Sequence, residues 1–410
     1  MFTGCSRQVI LYSGTKNQNR EVNRYYPSLD FLRAIAVLSV LFFHQSLTFP
    51  KVADSAIAPL LRIFKMGWVG VDLFFVLSGF LITERLLDQL SKPNFFLNFY
   101  RNRTLRIFPL YYAFLIVVLI ASAYGAGPFE AFGNPREYVP YLFYLQNWET
   151  YVHGAKKTYF VNHLWSLAVE EHFYLLYPFF VKWINSEKVL LIFSLFGIFA
   201  VIVFRMYVVA ENGPLPGVYV FSPFRFDSLL FGASLSTLSR IFDTKRLELL
   251  ANKFRLYLWV PVLIAIFCFG VLGLSSFSPI SSEMQKYGFT LIASYFVLVV
   301  AAFSFGSPLF SNTSKLFRIF SYVGKISYGI YVFHIPVQMV LLSARRKLEI
   351  SEGPFLFFLE LLISCLGSIL LAYLSFRFFE SYFLKRKVSN VVSEAEVQEL
   401  RLAKNQNAVI

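Results

Sequence analysis

The chain has 410 residues, of which 57% are hydrophobic, 19% aromatic and only 15% charged. Soluble domains contain about 25% charged residues, so this composition excludes an ordinary water-soluble fold and indicates a polytopic protein of the lipid bilayer. The net charge of +14 is better explained by cationic loops that set membrane topology than by a nucleic-acid partner, which we do not expect. Three widely spaced cysteines suggest neither a disulfide framework nor a metal site.

Apolar stretches long enough to cross a bilayer, about 20 residues each, recur along the whole chain. Ten spans are predicted at 29–48, 66–86, 107–124, 164–183, 188–208, 222–240, 256–274, 288–308, 320–344 and 355–379. The stretch 138–148 is apolar but too short to span, and we expect it to be a re-entrant or interfacial piece of the long loop 125–163. The predicted fold class is all-α integral membrane, a single bundle of about ten helices.

The spans predict one membrane domain, residues 29–384, between polar tails at 1–28 and 385–410. Lysine and arginine are unevenly distributed over alternate connections, with 24 on the side of both tails and 10 on the other side. Cytoplasmic loops are enriched in these residues, so both termini are predicted to be cytoplasmic. The cationic run Arg345 to Lys347 is an exception, since it falls on the outer side.

The first predicted span contains two ionisable residues, Arg33 and His44, in the stretch LRAIAVLSVLFFH. Eleven residues correspond to about 20° more than three full helical turns and a rise of about 16 Å, so both side chains share one helix face. Ionisable residues inside a membrane are costly and usually mark a functional cavity. The alternatives are that Arg33 reaches the headgroups and that His44 is a hydrogen-bonded structural residue.

Further ionisable residues fall near the ends of other predicted spans. Those near the outer ends, besides His44, are Asp72, Glu170, Arg225 and Asp227, and those near the inner ends include Arg33, Arg101, Arg103 and Arg106. One side of the bundle is therefore predicted to be titratable and the other cationic. The run RNRTLR places Arg103 and Arg106 three residues apart, close to one helix face, although membrane anchoring by positive loops is the alternative role.

Six stretches together make a family resemblance specific. They are LDFLRAIAVLSVLFFH, GWVGVDLFFVLSGFLIT, FYRNRTLRIFPLYY, NHLWSLAVEEHFYLLYPF, FRFDSLLFGA and VGKISYGIYVFHIP. In this order, over residues 27–384, the chain resembles the membrane acyltransferase-3 family, which includes bacterial O-acetyltransferases of O-antigen, capsule and other surface glycans. Phe31 and His172 depart from residues common in that family, and Glu380-Ser381-Tyr382 lacks the proline that usually follows the glutamate, so subfamily and acceptor stay open. We expect no hydrolase-like domain of the kind that many relatives carry.

The resemblance implies a transmembrane O-acyltransferase of the bacterial inner membrane. It would move an acyl group, by family default acetyl, from cytoplasmic acyl-CoA to a hydroxyl of a surface glycan such as lipopolysaccharide or of a lipid-linked sugar. Acyl-CoA would be a co-substrate, and no bound cofactor is expected. Because arginine forms charge-assisted bonds with phosphates, Arg101, Arg103 and Arg106 are the predicted donor-binding residues.

The acceptor hydroxyl needs a general base, and we assign that role to His44, without a covalent enzyme intermediate. Asp72 and Glu170 are candidates for orienting its imidazole, with pairing to Arg225 or helix capping as their alternatives. Arg33 is expected to hold the donor or to set the electrostatics of the pore.

The predicted substrate-binding residues are Arg225, Asp227, His334 and Trp165. His334 would polarise the thioester carbonyl or, alternatively, be a core histidine. Trp165 would stack on a sugar or anchor the interface.

Two other functions are compatible with buried ionisable residues. A proton-coupled transporter or exporter of a polysaccharide precursor or small metabolite would use them as a proton relay. A scaffold for a surface-polysaccharide complex would not need them for chemistry. We find no internal repeat of the kind that many secondary transporters show, which favours the enzyme.

Overall fold

The computed structural model describes residues 26–50, 52, 56–123, 134–154, 158, 160–255, 257–271, 277–307 and 314–387. No strand occurs among these residues, and the fold is an all-α integral membrane protein, as predicted. The predicted tails, 1–28 and 385–410, lie mostly outside the described residues, as does part of the loop 125–163.

The helices of the described residues are, in chain order, α1 (Pro27–Leu47), α2 (Ala58–Lys65), α3 (Gly70–Gln89), α4 (Phe95–Ala123), α5 (Val139–Leu142), α6 (Gln146–His153), α7 (Trp165–Ile184), α8 (Glu187–Asn212), α9 (Pro216–Val220), α10 (Phe226–Ile241), α11 (Thr244–Arg255), α12 (Trp259–Ala265), α13 (Phe289–Phe305), α14 (Lys315–Lys325), α15 (Ser327–Lys347), α16 (Pro354–Ser375) and α17 (Ser381–Leu384). Short 3₁₀ or π segments extend several of them, such as Met66–Val69 before α3 and Met284–Gly288 before α13.

Eight helical segments of the described chain are long and apolar enough to cross a membrane. They are Pro27–Leu47, Ala58–Gln89, Phe95–Ala123, Glu187–Asn212, Thr244–Phe269, Met284–Phe305, Ser327–Lys347 and Pro354–Leu384. The other two predicted spans, 164–183 and 222–240, also form helices. However, α7 carries Glu170, Glu171 and Lys182, and α10 is only 16 residues long. Most of α10 is buried, whereas the second half of α7 exposes Leu175, Leu176, Phe179 and Trp183.

The central packing contact joins α3 and α10. Gly79 of α3 lies against the backbone of Leu229, and Gly232 of α10 lies against the backbone of Val76, so a Cβ at either glycine would overlap a carbonyl oxygen. Small residues allow membrane helices to approach this closely.

Helices α1 and α15, which carry His44 and His334, are parallel. The amide of Gln338 donates to the Leu41 carbonyl at 3.0 Å, and Arg345 donates to the Thr48 carbonyl, so residues advance in the same direction on both helices. This pairing places the second half of α15 beside the second half of α1.

The exception in the charge distribution, Arg345, has a structural reason. Its side chain is buried, lies 3.7 Å from a carboxylate oxygen of Glu360 on α16, and stacks over the Phe49 ring at 3.9 Å. Arg345 therefore stabilises contacts between helices, and its position does not indicate on which side of the membrane the following loop lies.

The stretch 138–148 forms short helices that pack into the bundle instead of spanning it. Tyr111 of α4 donates a hydrogen bond to the Tyr141 carbonyl at 2.8 Å, and Asn147 donates to the Trp165 carbonyl at 2.9 Å. Tyr138 and Asn147 are fully buried. The described part of the long loop therefore positions the start of α7.

Replacing Gly79 with alanine should destabilise the protein, because the added methyl group meets a backbone carbonyl that cannot move independently. Overpacking of this kind costs about 1–3 kcal/mol. The melting temperature of the purified protein, followed by intrinsic fluorescence, should fall. Gly367→Ala is the control, since its Cβ would make an ordinary contact with Val337. Equal melting temperatures for the two variants would contradict the packing argument.

Candidate functional site

A cavity of about 100 Å³ lies between α1, α3, α4, α7 and α15. One part of its lining is cationic and polar, and another part is formed by aromatic and hydroxyl side chains. The lining includes Arg33, Ser78, Arg103, Arg106, Ser166, Glu170 and Tyr331. The cavity therefore gathers Arg33 with two of the three predicted donor-binding arginines.

Helix α4 begins earlier than its predicted span, and this changes the depth of the arginines. The span was predicted from residue 107, whereas the helix begins at Phe95. Arg103 and Arg106 consequently lie about 12 and 16 Å along a continuous helix and line the cavity. The prediction that Arg103 and Glu170 lie at opposite ends was wrong, since their side chains approach to 3.4 Å.

Arg106 has no carboxylate partner. Arg33 pairs with Asp30 at 2.8 Å and Arg103 with Glu170, but Arg106 makes no hydrogen bond or ion pair with any residue that the structure describes. Burial opposes its charge most, followed by the like charges of Arg33, Arg85 and Arg103, whereas Asp30 favours the charge from a distance. A guanidinium with free donors beside a cavity suits an anionic ligand.

The sequence analysis missed two cationic residues near the cavity, and one of the predicted donor-binding arginines lies outside the cavity. Arg85 and Lys387 lie within electrostatic range of Arg106, whereas Arg101 is exposed and bonds to the Arg386 carbonyl at 3.4 Å. Burial, followed by the positive charges of the neighbouring arginines, lowers the pKa of Lys387 to about 7. Arg85 lies seven residues after Ser78, so the helical spacing used for Arg33 and His44 would have placed it on the cavity face.

Glu170 belongs to the cavity and not to the environment of His44. It accepts hydrogen bonds from Tyr174 at 2.8 Å and from Arg103, and the Arg103 guanidinium lies over the Tyr174 ring at 3.7 Å from its centre. Ser78 bonds to the Tyr174 hydroxyl. Glu170 therefore orients Arg103.

The partner of His44 is His334. Nδ1 of His44 lies 3.0 Å from Nε2 of His334, and the two ring centres are 5.0 Å apart. His334 is fully buried. Asp72 and Glu170, the partners considered from the sequence, contact other groups.

The backbone determines the tautomers of this histidine pair. His334 Nδ1 lies 2.7 Å from the Tyr331 carbonyl oxygen, and His44 Nδ1 lies 3.0 Å from the Val40 carbonyl oxygen. Because a carbonyl oxygen only accepts, both Nδ1 atoms must carry hydrogen. The single Nδ1 hydrogen of His44 is then shared in a three-centre bond between the Val40 carbonyl oxygen and Nε2 of His334. Nε2 of His44 is left with its lone pair and bonds to no described residue, which suits a base.

A third histidine, His163, lies against this pair. Its ring centre is 5.0 Å from that of His334, it is 3% exposed, and neither ring nitrogen has a hydrogen-bond partner among the described residues. His163 is the last residue of the predicted loop 125–163, and no role was predicted for it from the sequence. Only folding brings that loop beside α15.

Asp72, Arg225 and Asp227 form two buried ion pairs. Arg225 donates to Asp72 at 2.5 Å and lies 4.0 Å from the centre of the Phe289 ring, and Asp227 pairs with Arg205 at 3.0 Å. All four side chains are fully buried, and none lines the cavity. The alternative reading of Asp72, pairing with Arg225, is therefore the arrangement found. Substrate binding by Arg225 and Asp227 stays a prediction that this arrangement does not favour.

Trp165 begins α7 and packs against Tyr219, with ring centres 4.7 Å apart, and against Phe75. Its ring is partly buried, so most of its surface contacts protein. Its role as a sugar platform stays a prediction.

Comparisons with known proteins agree with the architecture. The model of the acyltransferase-3 family, described as an acyltransferase domain, matches residues 26–377. The chain is 29% identical over 392 residues to the peptidoglycan O-acetyltransferase OatA of Listeria monocytogenes, covering 92% of this chain and 58% of the relative. It is 28% identical over 381 residues to the O-acetyltransferase OatA of Staphylococcus aureus, covering 88% of this chain and 58% of the relative. The chain thus spans little more than half the length of these curated relatives. No solved structure matches it.

Asp72→Ala should destabilise the protein, because it leaves Arg225 buried and unpaired. Breaking a buried pair from one side costs about 3–5 kcal/mol. Thermal unfolding should show a large loss, and Asp72→Ala combined with Arg225→Met should recover much of it. Asp243→Ala, at an exposed aspartate, is the control. A variant with normal stability but lost activity would instead assign Asp72 to the chemistry.

Proposed function

Since this chain belongs to the acyltransferase-3 family, we propose that it is a membrane O-acyltransferase that transfers an acyl group, acetyl first, from acyl-CoA to a glycan hydroxyl. One observation carries the proposal. A cavity with an unpaired arginine, Arg106, adjoins Tyr331, and the His44–His334 pair lies beyond that tyrosine. A polyanionic donor would meet a cation at Arg106, and a hydroxyl acceptor would meet a base at His44.

The donor would bind at the cationic part of the cavity. Arg33, Arg103 and Arg106 line it, and Arg85 and Lys387 add positive charge nearby. The phosphates of CoA accept charge-assisted hydrogen bonds from guanidinium groups. A bound phosphate would also favour the charged form of Lys387. Arg33 would thus act on the donor and not on the reacting carbonyl.

His44 would act as the general base through Nε2. It would remove the hydroxyl proton as the acceptor oxygen attacks the thioester carbonyl, the C–O bond forms and the C–S bond breaks. The CoA thiolate leaves, and the proton finally passes to it. His334, whose Nε2 accepts from His44 Nδ1, would hold the imidazole and stabilise its protonated form. No covalent enzyme intermediate is needed.

Peptidoglycan is the first acceptor to test, because the name of the Listeria relative specifies it. Lipopolysaccharide and lipid-linked sugars are the further glycan acceptors. The location that fits this function is the bacterial cytoplasmic membrane, with both termini and the cationic part of the cavity on the cytoplasmic side. The excess of lysine and arginine in the connections on the tail side supports that orientation.

His44→Ala should reduce acceptor-dependent CoA release by about 10²–10⁴-fold, the usual contribution of a general base. The assay uses purified protein, acetyl-CoA and soluble peptidoglycan fragments, with thiol release and acetylated product both measured. His153→Ala is the control, because His153 is an exposed histidine that pairs with Glu149. Full activity of His44→Ala at normal stability would exclude His44 as the base, and glycan movement without CoA release would favour a transporter.

Arg106→Gln should raise the KM for acetyl-CoA about tenfold or more, since a hydrogen bond to a charged group contributes about 1.5–3 kcal/mol. Arg101→Gln should leave this KM unchanged, because Arg101 is exposed and lies outside the cavity. Steady-state kinetics at saturating acceptor separate the two variants. An equal rise for both would indicate a general charge effect and not a donor site.

A further inference from the structure

Tyr331 lies against both the cavity and two of the three histidines, His334 and His163. It lines the cavity and is 5% exposed. The centre of its ring lies 5.5 Å from that of His334 and 5.4 Å from that of His163. His334 follows one helical turn later on the same helix, α15. The ring therefore lies where the cavity adjoins the histidines.

The Tyr331 hydroxyl is held by two hydrogen bonds. It donates to the His163 carbonyl oxygen at 2.6 Å and lies 2.6 Å from the Ser166 hydroxyl. Because the carbonyl takes the tyrosine proton, Ser166 must be the donor in the second bond. Both partners belong to the segment that begins α7, so the bonds tie α15 to that segment above the cavity. We call this arrangement the Tyr331 latch.

Separating donor from base solves a chemical problem of the proposed reaction. A base that activates a glycan hydroxyl also activates water, which is present at far higher concentration. Hydrolysis would form a C–O bond from water to the acyl carbon, break the C–S bond and yield a carboxylic acid and the CoA thiol. Excluding water from a reactive centre prevents such side reactions.

We propose that the Tyr331 latch determines the choice of glycan over water, by keeping the thioester away from His44 until the acceptor is bound. This inference rests on the proposed function, since it assumes acyl-CoA in the cavity. Opening needs only the loss of two neutral hydrogen bonds and rotation of one ring. Neither Tyr331 nor Ser166 takes part in bond making, so both are positioning residues.

The test compares two rates in the full-length purified protein, CoA release from acetyl-CoA with and without peptidoglycan fragments. Tyr331→Phe keeps the ring and removes both hydrogen bonds. It should raise acceptor-free CoA release about fivefold or more, because each such bond favours the closed state a few-fold. The ratio of acceptor-dependent to acceptor-free release should fall accordingly. Ser166→Ala, which removes one bond, should give a smaller change in the same direction.

Tyr111→Phe is the matched control, because Tyr111 also donates from a buried hydroxyl to a carbonyl oxygen but does not line the cavity. Its acceptor-free rate should equal that of the unmodified protein. If Tyr331→Phe lowers both rates in proportion, or only lowers the melting temperature, the latch is overturned while the proposed function stands. If the unmodified protein releases no CoA with any glycan acceptor, the proposed function itself is overturned, and the latch with it.

Discussion

The cost of placing ions among apolar helices constrains this structure more than any other factor. Charged groups inside a membrane must find partners, and most do so here: Arg225 with Asp72, Arg205 with Asp227, and Arg345 with Glu360. The close approach of α3 and α10 through Gly79 and Gly232 brings the first of these pairs together. The ion pairs in turn join α3 to the segment that begins α10, α8 to α10, and α15 to α16.

Against that background, the groups without partners identify the site. Arg106 lines the cavity and forms no hydrogen bond or ion pair with a described residue, and Nε2 of His44 has a lone pair with no described donor. Arg106 suits an anionic ligand, and His44 suits a hydroxyl group. Arg106 lines the cavity, whereas His44 belongs to the neighbouring histidine cluster. The presence or absence of a bonding partner among the described residues therefore distinguishes residues that stabilise the bundle from residues that can bind a ligand.

The connection between the two parts is narrow, and it consists of side chains from α7 and α15. Tyr331 touches both the cavity and His334, while Ser166 and the His163 carbonyl hold its hydroxyl. The proposed reaction, which brings a thioester to a glycan hydroxyl, would depend on this point. The curated relatives carry further residues beyond the length that matches this chain.

The sequence by itself determined the fold class, the helical character of the apolar segments and the placement of Arg33 and His44 on one face, because hydropathy and the helical repeat are local properties. The same properties predicted Arg103 and Arg106 as neighbours. Only the tertiary structure decided which partners the ions take: His334 for His44, Arg225 for Asp72 and Arg103 for Glu170. Those pairings join helices far apart in the chain, and no spacing rule links residues 44 and 334. The start of α4 at Phe95 was also decided by the tertiary structure. Because Glu170 pairs with Arg103 and the Arg386 carbonyl bonds to Arg101, the helix continues through a cationic segment that hydropathy alone assigns to a loop.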